Sequence, residues 1–312
     1  MNGSPRRLYA VVNPEAAFGK ARRLWPKLLA SLQTKIGPLT WDWTQAPNHA
    51  SDLVRRALQQ KHDLIISVGG DGTHNEVING FFMNGTMLNS QAVLAVVPCG
   101  SGSDFSRSLG VAGGMNSTIA TILSGKEREV DLGHLRFRLP TGEDCERFFL
   151  NVASLGLPAR VCSSLASQPR VFGGSGRYFL ATVRALMSNR NETITLKIDG
   201  KSLPEQLVNT VVAANGRFFG GGMRVAPHAK LDDGQLDLVV IGAVKLRHFF
   251  RWGLRFYRGN HLNLPPVRYL RASTVGAFSQ RPVPVEADGE TVGLLPVTFT
   301  ILPRAIRVLV AL

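Results

Sequence analysis

The sequence predicts an α/β protein of two domains, an N-terminal one built on a parallel sheet and a C-terminal one that is mainly antiparallel β. Three observations predict this. From residue 7 to about 130, short β-branched runs alternate with helical runs, as parallel strands joined by crossover helices require. From about Val130 the alternation stops and strands dominate, so the boundary falls between residues 133 and 134. The length of 312 residues corresponds to roughly two domains of ~150 residues, each able to bury a core.

Taken in order, Leu8–Val12 reads as a first strand, Gly19 to about Lys35 as a helix and Leu39–Thr44 as a second strand. His49–Lys61 follows as a helix, and Asp63–Val68 as a third strand that runs straight into Gly-Gly-Asp-Gly-Thr. A helix from His74 to about Phe82 and the strand Ala92–Val97 complete the alternating part. Each glycine-rich loop lies at the carboxyl end of a strand, where open α/β sheets hold their ligands. In the second domain Arg147–Val152, Thr193–Asp199, Leu207–Ala213 and Leu236–Ile241 read as strands, with helices near 175–188 and 245–258. Two last strands are expected at Val297–Leu302 and Ile306–Leu312.

Composition excludes several classes. With 44% hydrophobic and 19% charged residues the chain is not disordered. Cys99, Cys145 and Cys162 form no CxxC pair, which argues against a disulfide framework or a structural zinc site. The apolar run after Arg6 and Arg7 is cut short by Asn13-Pro14, and nowhere is there an apolar stretch of ~18 residues, so neither a leader nor a membrane span is expected. The expected location is cytoplasmic, with any membrane contact made peripherally, on the inner face. The net charge is +14, and no acidic residue lies between Asp237 and Glu286. In that interval Leu246, Phe249, Phe250, Gly253 and Tyr257 recur at helical spacing beside a stripe of Arg247, Arg251, Arg255 and Arg258. This basic amphipathic helix either packs on its own domain or meets anionic headgroups. No nucleic-acid reader pattern accompanies the charge, so no nucleic-acid partner is expected.

Five short motifs carry chemistry. Gly69-Gly70-Asp71-Gly72-Thr73 joins a strand to a helix that contains Asn75 and Glu76. Its glycines let the backbone approach phosphate oxygens, the helix N-terminus favours negative charge, and Asp71 adds a carboxylate for Mg²⁺. Neither the Walker A nor the GxGxxG spacing is present. Asn13-Pro14 ends the first strand, where Asn13 either satisfies the loop or reaches a ligand. Pro98-Cys99-Gly100-Ser101-Gly102-Ser103-Asp104 repeats the pattern of small residues after a strand. Far along the chain, Lys230-Leu231-Asp232-Asp233-Gly234-Gln235 reads as an Asp-Gly hairpin or as a cation loop, and Asp288-Gly289-Glu290 as a second hairpin.

The order NPxxxxGK, GGDGTxNE, PxGSGSDF, PxAxxxDGxL and DGE resembles the diacylglycerol kinase catalytic-domain family, which comprises bacterial soluble lipid kinases and their sphingosine-kinase relatives. The resemblance spans nearly the whole chain, and GGDGTxNE is its most specific part. It implies a nucleotide-binding domain of the NAD-kinase and phosphofructokinase type over 1–133, with 296–312 returning to complete it, and a β-sandwich-like lipid domain over 134–295. By the same resemblance ATP would contact Asn13, Thr44, Gly69, Gly70, Asp71, Gly72, Thr73, His74, Asn75 and Ser101. A structural Mg²⁺ would sit at Lys230, Asp233 and Gln235, chiefly on backbone carbonyls. Glu290 would be the general base, acting with Asp71 on a lipid hydroxyl presented at a membrane. Two positions depart from the family pattern: Ser101 keeps a hydroxyl where threonine is usual, and Ser103 replaces an asparagine. The rival readings are a same-fold kinase of a soluble acceptor, such as an NAD kinase, and a catalytically silent lipid-binding relative. An edge strand of the second domain would also allow a homodimer.

Overall fold

A computed structural model of the chain describes residues 6–100, 102–111, 114–139, 141–166 and 191–311. It divides into two units, Met1–Leu132 with Arg304–Leu312, and Gly133–Pro303. The expected helix near 175–188 lies outside the described residues.

The first unit runs β1 (Leu8–Val12), α1 (Ala16–Ile36), β2 (Thr40–Trp43), α2 (His49–Gln59), β3 (Leu64–Gly69) and α3 (Asp71–Gly80). A small hairpin of β4 (Phe82–Met83) and β5 (Thr86–Met87) follows, then β6 (Val93–Pro98), α4 (Asp104–Leu109), α5 (Met115–Ser124) and the start of β7 (Lys126–Arg138). β1 pairs in parallel with β2 and β3, and β3 in parallel with β6. All six residues of β3 are buried, which is why the run LIISVG reads as continuously apolar. α2 covers the sheet through Ala50, Leu53, Val54, Ala57 and Leu58, an i, i+3, i+4, i+7, i+8 stripe. Burying each such leucine or valine contributes about 1.5–3 kcal/mol. In α1 the residues Ala17, Phe18 and Gly19 are left-handed, so regular helix begins only after Gly19.

The second unit takes the rest of β7, then β8 (Asp144–Phe149), β9 (Val152–Gly156), α6 (Leu157–Ala166), β10 (Glu192–Ile198) and β11 (Lys201–Ser202). It continues with β12 (Gln206–Ala214), β13 (Leu236–Gly242), α7 (Leu246–Arg258), β14 (Val267–Ala272), β15 (Thr274–Phe278), β16 (Pro284–Ala287) and β17 (Glu290–Val310). Its strands pair antiparallel, as in β9 with β12 and β16, β12 with β13, and β15 with β17. Phe149, Leu155, Leu196, Val211, Leu238, Val285 and Phe299 form the middle of its core.

Two expectations are corrected here. The strand expected at Arg147–Val152 breaks at Leu150 and Asn151, because the amides of Leu150, Asn151 and Val152 all turn to the carboxylate of Asp288 at 2.7 to 3.0 Å. The two closing strands are one, β17, whose last residues pair in parallel with β6 through Arg307 and Val308. It passes Arg304 at φ 50°, where the carboxylate of Asp131 accepts the Arg304 amide at 2.8 Å. On α7, Trp252 packs on the cluster of Val152, Val212 and Leu264, while Tyr257, part of the apolar stripe seen in the sequence, is half exposed.

Candidate functional site

In the first unit the parallel register brings four strand ends level. Val12 lies opposite Val68 and Gly69 opposite Pro98, so Asn13, Thr44, Gly70 and Gly100 emerge along one edge. Backbone bonds from Asn13 to Val68, Thr44 to Val12 and Cys99 to Gly69 hold that edge at 2.7 to 3.0 Å.

Gly70 is extended (φ −95°, ψ −175°) and caps α3, whose first-turn amides have no acceptor within the helix. A Cβ on Gly100 would come within 2.8 Å of the Cα of Gly70, and one on Gly69 within 2.4 Å of the Thr73 hydroxyl. The two glycine loops therefore meet backbone to backbone, which no other residue type permits. Asp71 joins them: its Oδ2 accepts the amide of Asp104 and its Oδ1 that of Phe105, both at 3.2 Å. Burial pushes this carboxyl above its ordinary value, and those amides, with Arg107, oppose the shift.

The other expected contacts have assigned places. The side-chain amide of Asn13 donates to the Thr73 hydroxyl at 2.9 Å, while its Oδ1 accepts the Glu15 amide at 3.0 Å. Asn75 is buried, and Thr44 is partly exposed beyond β2. His74 is fully buried, its Nδ1 2.7 Å from the Ser67 hydroxyl, and burial lowers it to about 3. Its imidazole is enclosed in the core. Ser101 lies outside the described residues. Glu76 has a role that the motif alone did not disclose. Its carboxylate accepts the Ala50 amide at 3.2 Å, in the first turn of α2, and its carbonyl accepts the Ser51 hydroxyl at 2.6 Å.

In the second unit, Asp288 (φ 47°) and Gly289 (φ 89°) form the two-residue turn between β16 and β17. Asp288 is the anchor described above, and Glu290, the next carboxylate, pairs with Arg147 at 2.7 Å. Beneath the turn Glu286 is fully buried; its Oε1 accepts the Ser154 hydroxyl at 2.6 Å and its Oε2 the Gly289 amide at 2.9 Å. Burial raises it to about 8. The signal for it in the sequence is an acid at an inward position of an otherwise apolar strand, PVEA.

The cation loop also lies in this unit. Asp233 pairs with Arg271 and accepts the Gln235 amide at 3.2 Å, and the Gln235 side chain donates to the Ser273 hydroxyl at 3.1 Å. Among the described residues no group of three His, Cys, Asp or Glu side chains could hold a metal, so a cation here would depend on backbone carbonyls, as at Lys230 and Gln235. One observation fits a hard cation in that place. Asp237 is fully buried, among the described residues neither of its carboxylate oxygens has a hydrogen-bond partner, and burial raises its carboxyl to about 6, with Arg271 and Arg217 opposing the shift and Asp233 adding to it.

Comparison with known proteins now bears on these two sites. Residues 7–135 match the diacylglycerol kinase catalytic domain, and residues 151–310 match the YegS C-terminal NAD kinase beta sandwich-like domain. The chain belongs to the diacylglycerol kinase family. It is 28% identical to a diacylglycerol kinase of Bacillus subtilis over 97% of this chain and 96% of that one, and 27% identical to one of Staphylococcus carnosus over 97% and 94%. The fold is shared with the crystal structure of a diacylglycerol kinase from Bacillus anthracis, at TM-score 0.71 and 22% identity over 98% and 97% of the two chains. A more distant likeness in fold is yeast NADH kinase, at TM-score 0.55 and 11% identity over 99% and 84%. The family is one of kinases.

Proposed function

We propose that the protein is an ATP-dependent lipid kinase that transfers the γ-phosphate to a hydroxyl of a lipid such as diacylglycerol. The observation that carries this reading is the pairing of two backbone-packed glycine loops, tied by Asp71, at the end of a parallel sheet in a chain of the diacylglycerol kinase family. Phosphoryl transfer is catalysed chiefly by positioning and charge stabilisation, and the chain supplies residues for both. The first-turn amides of α3 would receive phosphate oxygens, with Asn13 and Thr44 along the same edge, and Ser101 would add its hydroxyl. Asp71 fixes the loops and keeps lone pairs for a nucleotide-bound cation. Glu290 would accept the proton of the lipid hydroxyl as it attacks. Asp288 fixes the turn from which Glu290 projects. A structural Mg²⁺ would be held by Asp233 and the carbonyls of Lys230 and Gln235, where it would neutralise Asp237.

The test is transfer from γ-labelled ATP with Mg²⁺ to a total lipid extract, followed by separation of organic and aqueous products. Label in a lipid is the expected result. The likeness in fold to yeast NADH kinase favours one second reading, a soluble acceptor; label on NAD with none in the organic phase would establish it instead.

A further inference from the structure

Helix α7 has two faces of different chemistry. Trp252 packs on the second core cluster, and Phe256, one turn on, stacks on His261 with 4.1 Å between ring centroids. These two fix which side of the helix faces its own unit. On the opposite side Arg251, Arg255 and Arg258 are exposed, Leu254 is 72% exposed and Tyr257 50%. Leu254 is the most exposed large apolar side chain among the described residues. Among the described residues none of the three arginines forms an ion pair, and the sequence offers no acid between Asp237 and Glu286 to provide one. Arg268, on β14, adds a further exposed cation. A helix face kept only for solubility would mix both signs of charge and would not expose a leucine between arginines.

We propose that this face of α7 docks the protein on an anionic lipid bilayer, with Arg251, Arg255 and Arg258 on headgroup phosphates and Leu254 and Tyr257 in the interfacial layer. The charge is complementary to acidic phospholipid, and the two apolar side chains sit where an interfacial helix buries them. The inference rests on the lipid-kinase reading only for its purpose, since binding is measured without turnover.

The experiment is co-sedimentation with phosphatidylcholine vesicles, with and without phosphatidylglycerol, at low and high salt. The wild-type chain should bind only the vesicles containing phosphatidylglycerol. Arg251→Glu with Arg255→Glu and Arg258→Glu should weaken that binding at least ~10-fold, as expected when several surface cations are lost. Leu254→Ser with Tyr257→Ser should keep the binding at low salt and lose what survives at high salt. A matched reversal on α1, Arg23→Glu with Lys27→Glu, should leave binding unchanged. Phosphorylation of lipid dispersed in detergent should be unaltered in the α7 variants, so failure of docking is told apart from failure of the kinase reading. The proposal is overturned if the triple variant binds like wild type, if wild type ignores phosphatidylglycerol, or if duplex DNA binds at least as tightly and is lost in the same variants.

Discussion

At Glu286 a carboxyl is fully enclosed with two hydrogen bonds and no cation, and its proton is held to about 8 instead of the ordinary 4.5. The sign of its effect on stability follows. Between those two values the folded chain keeps a proton that the unfolded chain gives up, so stability falls as pH rises across that window and is level above it. Glu286→Gln retains a carbonyl for the Gly289 amide and places a donor toward Ser154, with no charge to bury. The displacement from 4.5 to about 8 corresponds to about 5 kcal/mol, so its melting temperature should lie close to wild type at pH 5 and exceed it at pH 9 by up to ~10–20 °C, at ~2–4 °C per kcal/mol. Parallel melting curves at both pH values would show that Glu286 is not the titrating group. The backbone at Gly100 is a second sharp case. Gly100→Ala drives a methyl to within 2.8 Å of the Gly70 Cα, with only backbone there to yield, so nucleotide affinity measured by calorimetry should fall more than it does for Gly114→Ala, where the space is open.

Among the elements, the two acids of GGDGTHNE have a common purpose that the motif does not disclose. Asp71 receives the first amides of α4 and Glu76 those of α2, so one short segment ties helices from two other loops to the strand-end edge. Loss of such a cap costs about 0.5–2 kcal/mol, and Glu76→Ala should show a loss of that size in urea unfolding with an unchanged slope. Strands β1, β3 and β6 were legible because each is a mostly buried apolar run ended by Asn-Pro or by a glycine loop, signals that lie within a few residues of one another. What was not legible depends on distant partners. The break after Phe149 is imposed by Asp288, 137 positions away, and no local preference in FFLNVAS announces it. On α7 the spacing alone leaves open which side faces the unit; Trp252, outside the apolar stripe, packs on the core and Phe256 stacks on His261, while Tyr257 is half exposed. For Asp71 the motif points to a carboxylate for Mg²⁺, whereas its capping bonds run to another loop and leave no trace in spacing. His74 lies within the same motif, and its hydrogen bond to Ser67 with full burial encloses the imidazole in the core, which no spacing in the motif announces.

For the molecule as a whole, the residues assigned to ATP and the residue assigned to proton transfer belong to different units, Met1–Leu132 with the returning strand and Gly133–Pro303. Such a division predicts that binding and chemistry separate under mutation. Asp71→Asn replaces one of the two carboxylate oxygens that receive α4 with a donor, so the amide of either Asp104 or Phe105 loses its acceptor and the glycine loops lose their tie. Affinity for an ATP analogue should fall at least ~10-fold, in proportion to one or two lost charge-assisted bonds. Glu290→Gln leaves the first unit untouched and keeps a neutral partner for Arg147. Its affinity for the analogue should stay within about twofold of wild type, while transfer to lipid falls by ~10²–10⁴, the usual contribution of a general base. Because the two losses arise on different units, the double variant should combine the binding defect of the first with the turnover defect of the second. Calorimetry for binding and labelled transfer for turnover, run on all four proteins, check this. A Glu290→Gln protein that transfers phosphate at the wild-type rate would remove Glu290 from the reaction and leave the nucleotide assignment standing.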